Sequence, residues 1–206
     1  MIMLQQERQV VSGVISIFAD LFKYPDQHVW EACMSGGLLD DLKKAAIHLT
    51  GNPDCANEIK GFPAELGELQ EIYLNSLGGP ALPVESVYKI WTADSDCSMP
   101  FAKSKGYLLG DSALHIRYIL TEFEMAISQD YENMPDHLAI LLEMLAYFWD
   151  NCVPEFTYQF LEDHFDWLDE LASALAALPE HSFYLAITRL LQQVLRAAKA
   201  NLQEAF

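Results

Sequence analysis

Apolar residues recur at three- and four-residue steps along most of this chain, the spacing that gathers them on one face of an α-helix. Val10, Val14, Ile17, Phe18, Leu21 and Phe22 predict a first helix over 6–22. Tyr24-Pro25-Asp26 ends it, because proline disfavours a helical residue before it. A second helical segment starts near 27 and stops before Gly36-Gly37. A third covers 38–49 and closes at Thr50-Gly51-Asn52-Pro53. A fourth covers 63–77, with Leu66, Leu69, Ile72 and Tyr73 on one face. Further helices are expected over 112–127 with Asp111 as N-cap, over 135–150 starting on Pro135, and over 155–178 and 180–203, parted at Pro179. No segment predicts a strand ladder. The expectation is an all-α chain.

Between them, residues 78–111 break the pattern. This stretch is rich in glycine, proline, serine and aromatics and has no sustained period. It reads as a long loop with a short helix near 101–105. Loops longer than about 12–15 residues in a compact domain are usually functional or disordered. The aromatics Tyr88, Trp91, Phe101 and Tyr107 predict an ordered one. Pro80, Pro83, Glu85, Ser86, Tyr88 and Trp91 combine rigid turns, rings and an acid. Such a mixture suits a groove that grips a peptide, or a surface loop pinned by aromatic anchors.

The helix expected at 135–150 is the most informative segment. At about 100° per residue, Asp136, Glu143 and Asp150 fall within an arc of about 40°. Leu138, Leu141, Leu142, Leu145, Phe148 and Trp149 fill the other side. The helix is therefore expected at the centre of the fold with an acidic stripe. That stripe is either a solvated edge or a receiver of basic side chains through arginine–carboxylate pairing.

Charge sharpens the choice. The chain has 206 residues, enough for one sizeable core or two small lobes. With 51% apolar residues it can fold despite a formal charge of −18. No lysine or arginine occurs from 118 to 188, whereas fourteen acids do. Such a field repels nucleic acid and anionic membranes and attracts basic polypeptide segments. No apolar run is long enough to span a bilayer, so no stable membrane insertion is expected. The N-terminus lacks the pattern of a signal peptide, and a cytoplasmic location is expected.

Signatures of chemistry are missing. Cys33, Cys55, Cys97 and Cys152 form no CxxC pair, and reduced, mostly buried thiols are expected. There is no HExxH, no phosphate-binding glycine loop and no GxSxG. Asp136-His137 reverses the His-Asp order of a metal-dependent phosphohydrolase, for which His115 is the only further candidate histidine. That hydrolase and a generic helical adaptor remain the rival readings. No enzyme activity, metal or cofactor is expected.

Three segments, LGGPALPVESVYKIW, KGYLLGDSALHIRYIL and ENMPDHLAILLEMLAYF, together with LFKYPD upstream, resemble the TorD/DmsD/NarJ family of redox-enzyme maturation chaperones. The resemblance covers most of the chain, and the PDHLAxxLExxAY segment is its most specific part. It implies a single helical domain over 1–206 with about 8–10 helices and a long ordered loop. It implies a non-catalytic protein that binds the N-terminal region, often a twin-arginine signal peptide, of a molybdopterin-containing oxidoreductase subunit. The client is held until cofactor insertion and folding are complete, before export or assembly. Residues matching the family's peptide-binding region are Tyr24, Pro83, Glu85, Ser86, Tyr88, Trp91, Gly110, Asp111, Asp136, His137 and Glu143. Asp136, Glu143 and Glu85 would then engage arginines, while Tyr88, Trp91 and Tyr24 line the groove. Where DmsD-like members carry more tryptophan, this chain has Val84-Glu85-Ser86-Val87-Tyr88. The resemblance also admits a monomer or a domain-swapped dimer, with 128–135 as the candidate hinge.

Overall fold

The structure is a computed structural model that describes residues 2–35, 37–179 and 182–203. Its elements are α1 (Ile2–Leu21), α2 (Gln27–Met34), α3 (Gly37–Thr50), α4 (Leu66–Asn75), α5 (Glu85–Tyr88), α6 (Asp111–Glu122), a 3-10 turn (Gln129–Tyr131), α7 (Leu138–Asn151), α8 (Pro154–His164), α9 (Leu168–Ala176) and α10 (Ser182–Gln203). The fold is all-α. Among the described residues there is no strand, only an isolated antiparallel bridge between Val84 and His137. Gly36 of the expected second stop, and Glu180 of the expected last helix start, lie outside the described residues.

Helix α7 is the axis. All its residues from Leu138 to Trp149 are buried except Glu143 and Tyr147. A helix that is apolar almost all round belongs in a core. Helix α1 makes the most extensive packing against it. It contributes Val11, Val14, Ile15, Phe18 and Phe22 of the turn that follows, all buried. Helix α10 packs on α3, α8 and α9 and closes the other side, burying Ile187, Leu190, Leu191, Val194 and Ala198. Arg8 of α1 ties off the exposed end of α7. Its guanidinium donates to the Trp149 carbonyl through both Nε and Nη2, and to the Cys152 carbonyl at 3.1 Å. Those carbonyls lack helical partners, and a cation also suits the negative end of the helix dipole.

Several boundaries differ from the periodicity, each for a local reason. Helix α4 starts at Leu66, not 63. Residue Pro63 is buried and its carbonyl accepts from the Trp30 indole at 3.3 Å, while Glu65 is extended. The helix expected over 155–178 is two helices. Phe165 leaves helical geometry, and the Trp167 indole turns back to donate to the His164 carbonyl at 2.8 Å. The short helix lies at 85–88, whereas 101–103 forms turns. Helix α6 begins at Asp111 itself, with Gly110 as its N-cap, and ends at Glu122. Helix α7 begins at Leu138, so Asp136 is not part of it. All four cysteines are free thiols, two buried and two partly exposed.

Replacing Arg8 by alanine leaves the α7 carbonyls without their charged donor. Urea titration is expected to show a loss of about 1–3 kcal/mol, and an unchanged midpoint would show that solvent caps the helix equally well.

Candidate functional site

The site is organised where two distant segments meet. Residues 83–85 run antiparallel to 136–138. The Leu138 amide donates to the Pro83 carbonyl at 2.8 Å, and the Glu85 amide to the Asp136 carbonyl at 3.1 Å. Helix α5 then starts at once, but its N-cap, Val84, has no polar side chain. Asp136 supplies the cap from across the bridge, its Oδ2 accepting from the Ser86 amide at 2.7 Å. This satisfies one of the amides that every helix start leaves unpaired. Asp136 is 0% exposed and Ser86 is 1% exposed. Asp136 Oδ1 and the Ser86 hydroxyl have no hydrogen-bond partner of good geometry among the described residues. Burial raises the Asp136 pKa, and the Ser86 hydroxyl and amide pull it partly back.

His137 caps α7 itself, Nδ1 accepting from the Ala139 amide at 3.2 Å. An accepting Nδ1 carries no proton. Burial lowers the pKa of this histidine to about 4, and the Tyr131 ring packs against it at 4.9 Å.

Glu85 is 1% exposed. Its Oε1 lies 2.9 Å from the Lys89 ammonium and its Oε2 lies 2.8 Å from His164 Nδ1. Lys89 continues to Asp166 Oδ1 at 2.7 Å and to the Asp163 carbonyl at 2.6 Å. Burial would lower the Lys89 pKa, but Glu85 and Asp166 outweigh it and the pKa rises. His164, also buried, reaches His115 Nδ1 through Nε2 at 3.0 Å. Tyr88 stacks on Trp167 with ring centroids 5.1 Å apart, and burial pushes its hydroxyl up to about 12.

The rest of the long loop is ordered by its own ladder. Trp91 donates to Ser104, Thr92 to Ala102, and Gly106 to Val87 through their amides. Trp91, Phe101 and Tyr107 form a ring cluster. Asp111 folds back so that its Oδ2 accepts from the Ala93 amide at 2.7 Å and the Thr92 hydroxyl at 3.1 Å. Gly110 is required at this junction, since a Cβ there would stand 2.5 Å from the Trp91 carbonyl oxygen.

The expected site residues therefore fall into two sets. Pro83, Glu85, Ser86, Tyr88, Asp136 and His137 come together but are buried and engaged with one another or with the core. In this arrangement Asp136 and Glu85 reach internal partners, not the surface, and the expected three-acid stripe on one helix is broken. Glu143 stays on the surface of α7 and pairs with Lys23 at 2.6 Å. Tyr24 is 50% exposed and meets Tyr73 edge-on.

An open groove of about 310 Å³ lies between α6 and α8. Tyr118, Ile119, Phe123, Phe156 and Phe160 give it apolar walls. Glu122 and Asp163 stand at its rim, and His115 and His164 lie at the end nearest α5. Phe123 links the walls to the exposed Tyr147 of α7. Sequence reasoning missed these residues as a group. The signal was present in the spacing: Tyr118 lies off the buried face of α6 and is 61% exposed, and Phe156 and Phe160 are four apart on α8. Lys89 and His164 carried no such signal. Among the described residues, no three histidine, cysteine, aspartate or glutamate side chains are grouped to hold a metal ion. No helix there is long and apolar enough to cross a membrane.

The all-α fold is the one that the resemblance to the TorD/DmsD/NarJ family implies. The family model described as nitrate reductase delta subunit matches residues 66–181, more than half of the chain, and the chain belongs to that family of molybdoenzyme maturation chaperones. The matched segment contains the bridge, the loop and the whole groove, but not Tyr24. No curated protein sequence matches the chain.

His137 makes stability pH-dependent with a definite sign. Its folded pKa lies below its unfolded value, so the unfolded chain binds the proton more readily, and stability is lost as pH falls from about 6.5 towards 4. Over that window this group removes about 3 kcal/mol. Asp136, with a raised pKa, acts in the opposite direction, because protonation relieves a buried charge. Replacing His137 by asparagine keeps an N-cap acceptor that does not titrate. Denaturant titrations between pH 6.5 and 4 should show a shallower acid loss than in the parent, and equal slopes would exclude this role.

Proposed function

We propose that this chain binds the N-terminal segment of a molybdopterin-containing oxidoreductase subunit, of twin-arginine type, and holds it until cofactor insertion and folding are complete. The observation that carries this reading is the groove between α6 and α8, apolar along its walls and acidic at its rim. A leader with paired arginines and an apolar stretch needs that combination: apolar area to bury and carboxylates for the guanidinium groups. Glu122 and Asp163 serve the arginines. Glu143 and Asp150, exposed on α7 beside Tyr147, extend the negative field along the bound segment.

The remaining expected residues act through this groove in two ways. Pro83, Ser86, Gly110, Asp111, Asp136 and His137 hold the loop and α7 in register. Glu85 and Tyr88 fix the end of α8 through Lys89, His164 and Trp167. Trp91 and Tyr24 offer ring surface to parts of the client beyond the groove. The chain works as a monomer or as a domain-swapped dimer that exchanges elements at 128–135.

The test is fluorescence anisotropy with a labelled synthetic peptide carrying paired arginines followed by about 12 apolar residues. The parent binds it, and binding weakens with added salt because exposed charges are screened over about 10 Å at 0.1 M. Glu122→Gln with Asp163→Asn weakens binding by about tenfold at low salt. Parent-like affinity in that double variant, or no effect of salt, contradicts the carboxylate role.

A further inference from the structure

Four ionisable side chains run in single file to the end of the groove: Lys89, Glu85, His164 and His115. Their hydrogen-bond directions follow from chemistry. An ionised carboxylate only accepts, so His164 Nδ1 carries the proton shared with Glu85. Glu85 already has the Lys89 ammonium at 2.9 Å as its counter-charge, so charge balances with a single proton on the His164 ring, at Nδ1; Nε2 is then an acceptor, and His115 Nδ1 donates to it at 3.0 Å. A neutral His115 with its proton on Nδ1 has an unprotonated Nε2. His115 is exposed and lines the groove, and no hydrogen bond from its Nε2 is found among the described residues. Buried Glu85, 79 residues away from His164 in sequence, thus sets which face of the His115 ring is an acceptor.

Resting on the groove reading above, we propose that His115 is a specificity-determining residue, whose Nε2 accepts a hydrogen bond from a lysine or arginine side chain of the bound segment. The charges around it favour such a donor. Glu85 and Lys89 face the pair from α5 and the residue after it, Glu122 lies on α6, and Asp163 and Asp166 lie on and just beyond α8. Burial and the neighbouring His164 hold the His115 pKa below its ordinary 6.5, against the pull of Asp163 and Glu85. The acceptor form therefore persists at neutral pH. A proton on Nε2 reverses it, giving a donor and a positive charge, so the preference for cationic segments disappears on acidification.

The test compares two labelled amphipathic peptides of about 15 residues with the same leucine stripe. One carries paired arginines and the other has norleucine in their place. His115→Phe keeps a ring but removes the acceptor. The expected result is that the parent prefers the arginine peptide, and that His115→Phe lowers the ratio of the two affinities about tenfold. Imidazole nitrogen shifts of the unmodified protein at neutral pH are expected to report Nδ1-protonated tautomers for both His115 and His164. An Nε2-protonated His115, or an unchanged preference in His115→Phe, overturns the proposal. Equal weakening of both peptides also overturns it while leaving the groove intact. A parent that binds neither peptide removes the groove reading itself, and this proposal with it.

Discussion

Two backbone segments 50 residues apart satisfy each other's polar groups where the long loop meets the core. The Ser86 amide and the Asp136 carboxylate meet at 2.7 Å with both residues out of water. A buried amide without a partner destabilises by about 1–3 kcal/mol, and a buried carboxylate without a donor by more. The bridge at Val84 and His137 aligns the pair, and the cap lets a four-residue helix start where its own sequence offers no capping side chain. From that junction α7 runs into the core in one direction. In the other, α5 places Glu85 and Tyr88 against the end of α8. The groove walls, α6 and α8, are thus referenced to a single buried acid.

The division of labour among the acids follows from burial. Asp136 and Glu85 are internal and spend their charge on amides, Lys89 and His164. Glu122, Asp163, Glu143 and Asp150 remain at the surface. With no lysine or arginine from 118 to 188, neutralisation of that surface must come from bases elsewhere in the chain. Lys23 serves Glu143 and Lys199 serves Glu162. The groove rim receives no ion pair from the described residues at Glu122 or through the Asp163 side chain. Negative potential therefore collects beside apolar walls, the setting on which the proposed binding of a basic segment rests.

What was legible in the chain was whatever is local. The periodicity of 6–22 and 38–49 found α1 and α3, and the crowded apolar pattern after 137 found a central α7. The failures are contacts between distant residues. Extending the 3.6-residue period back through Asp136 put that acid on a helix stripe, because nothing near it announces the pairing with the Glu85 and Ser86 amides. The break at Phe165 was hidden for the same reason, since Trp167 is held by Tyr88 from another part of the chain. The fold brings Asp136, His137, Glu85 and Ser86 together. Their exposure was not readable, and so neither was their internal bonding. The groove could have been suspected from Tyr118, or from Phe156 and Phe160, four apart.

The measurement closest to the central claim is native-state amide hydrogen exchange on the Asp136→Ala protein. If Asp136 is the clasp between loop and core, the amides of 85–88 and of α6 along the groove lose protection by orders of magnitude while the interior of α7 stays slow. Unchanged protection at Glu85 and Ser86 would contradict it, and would mean that the loop holds its place without the buried acid.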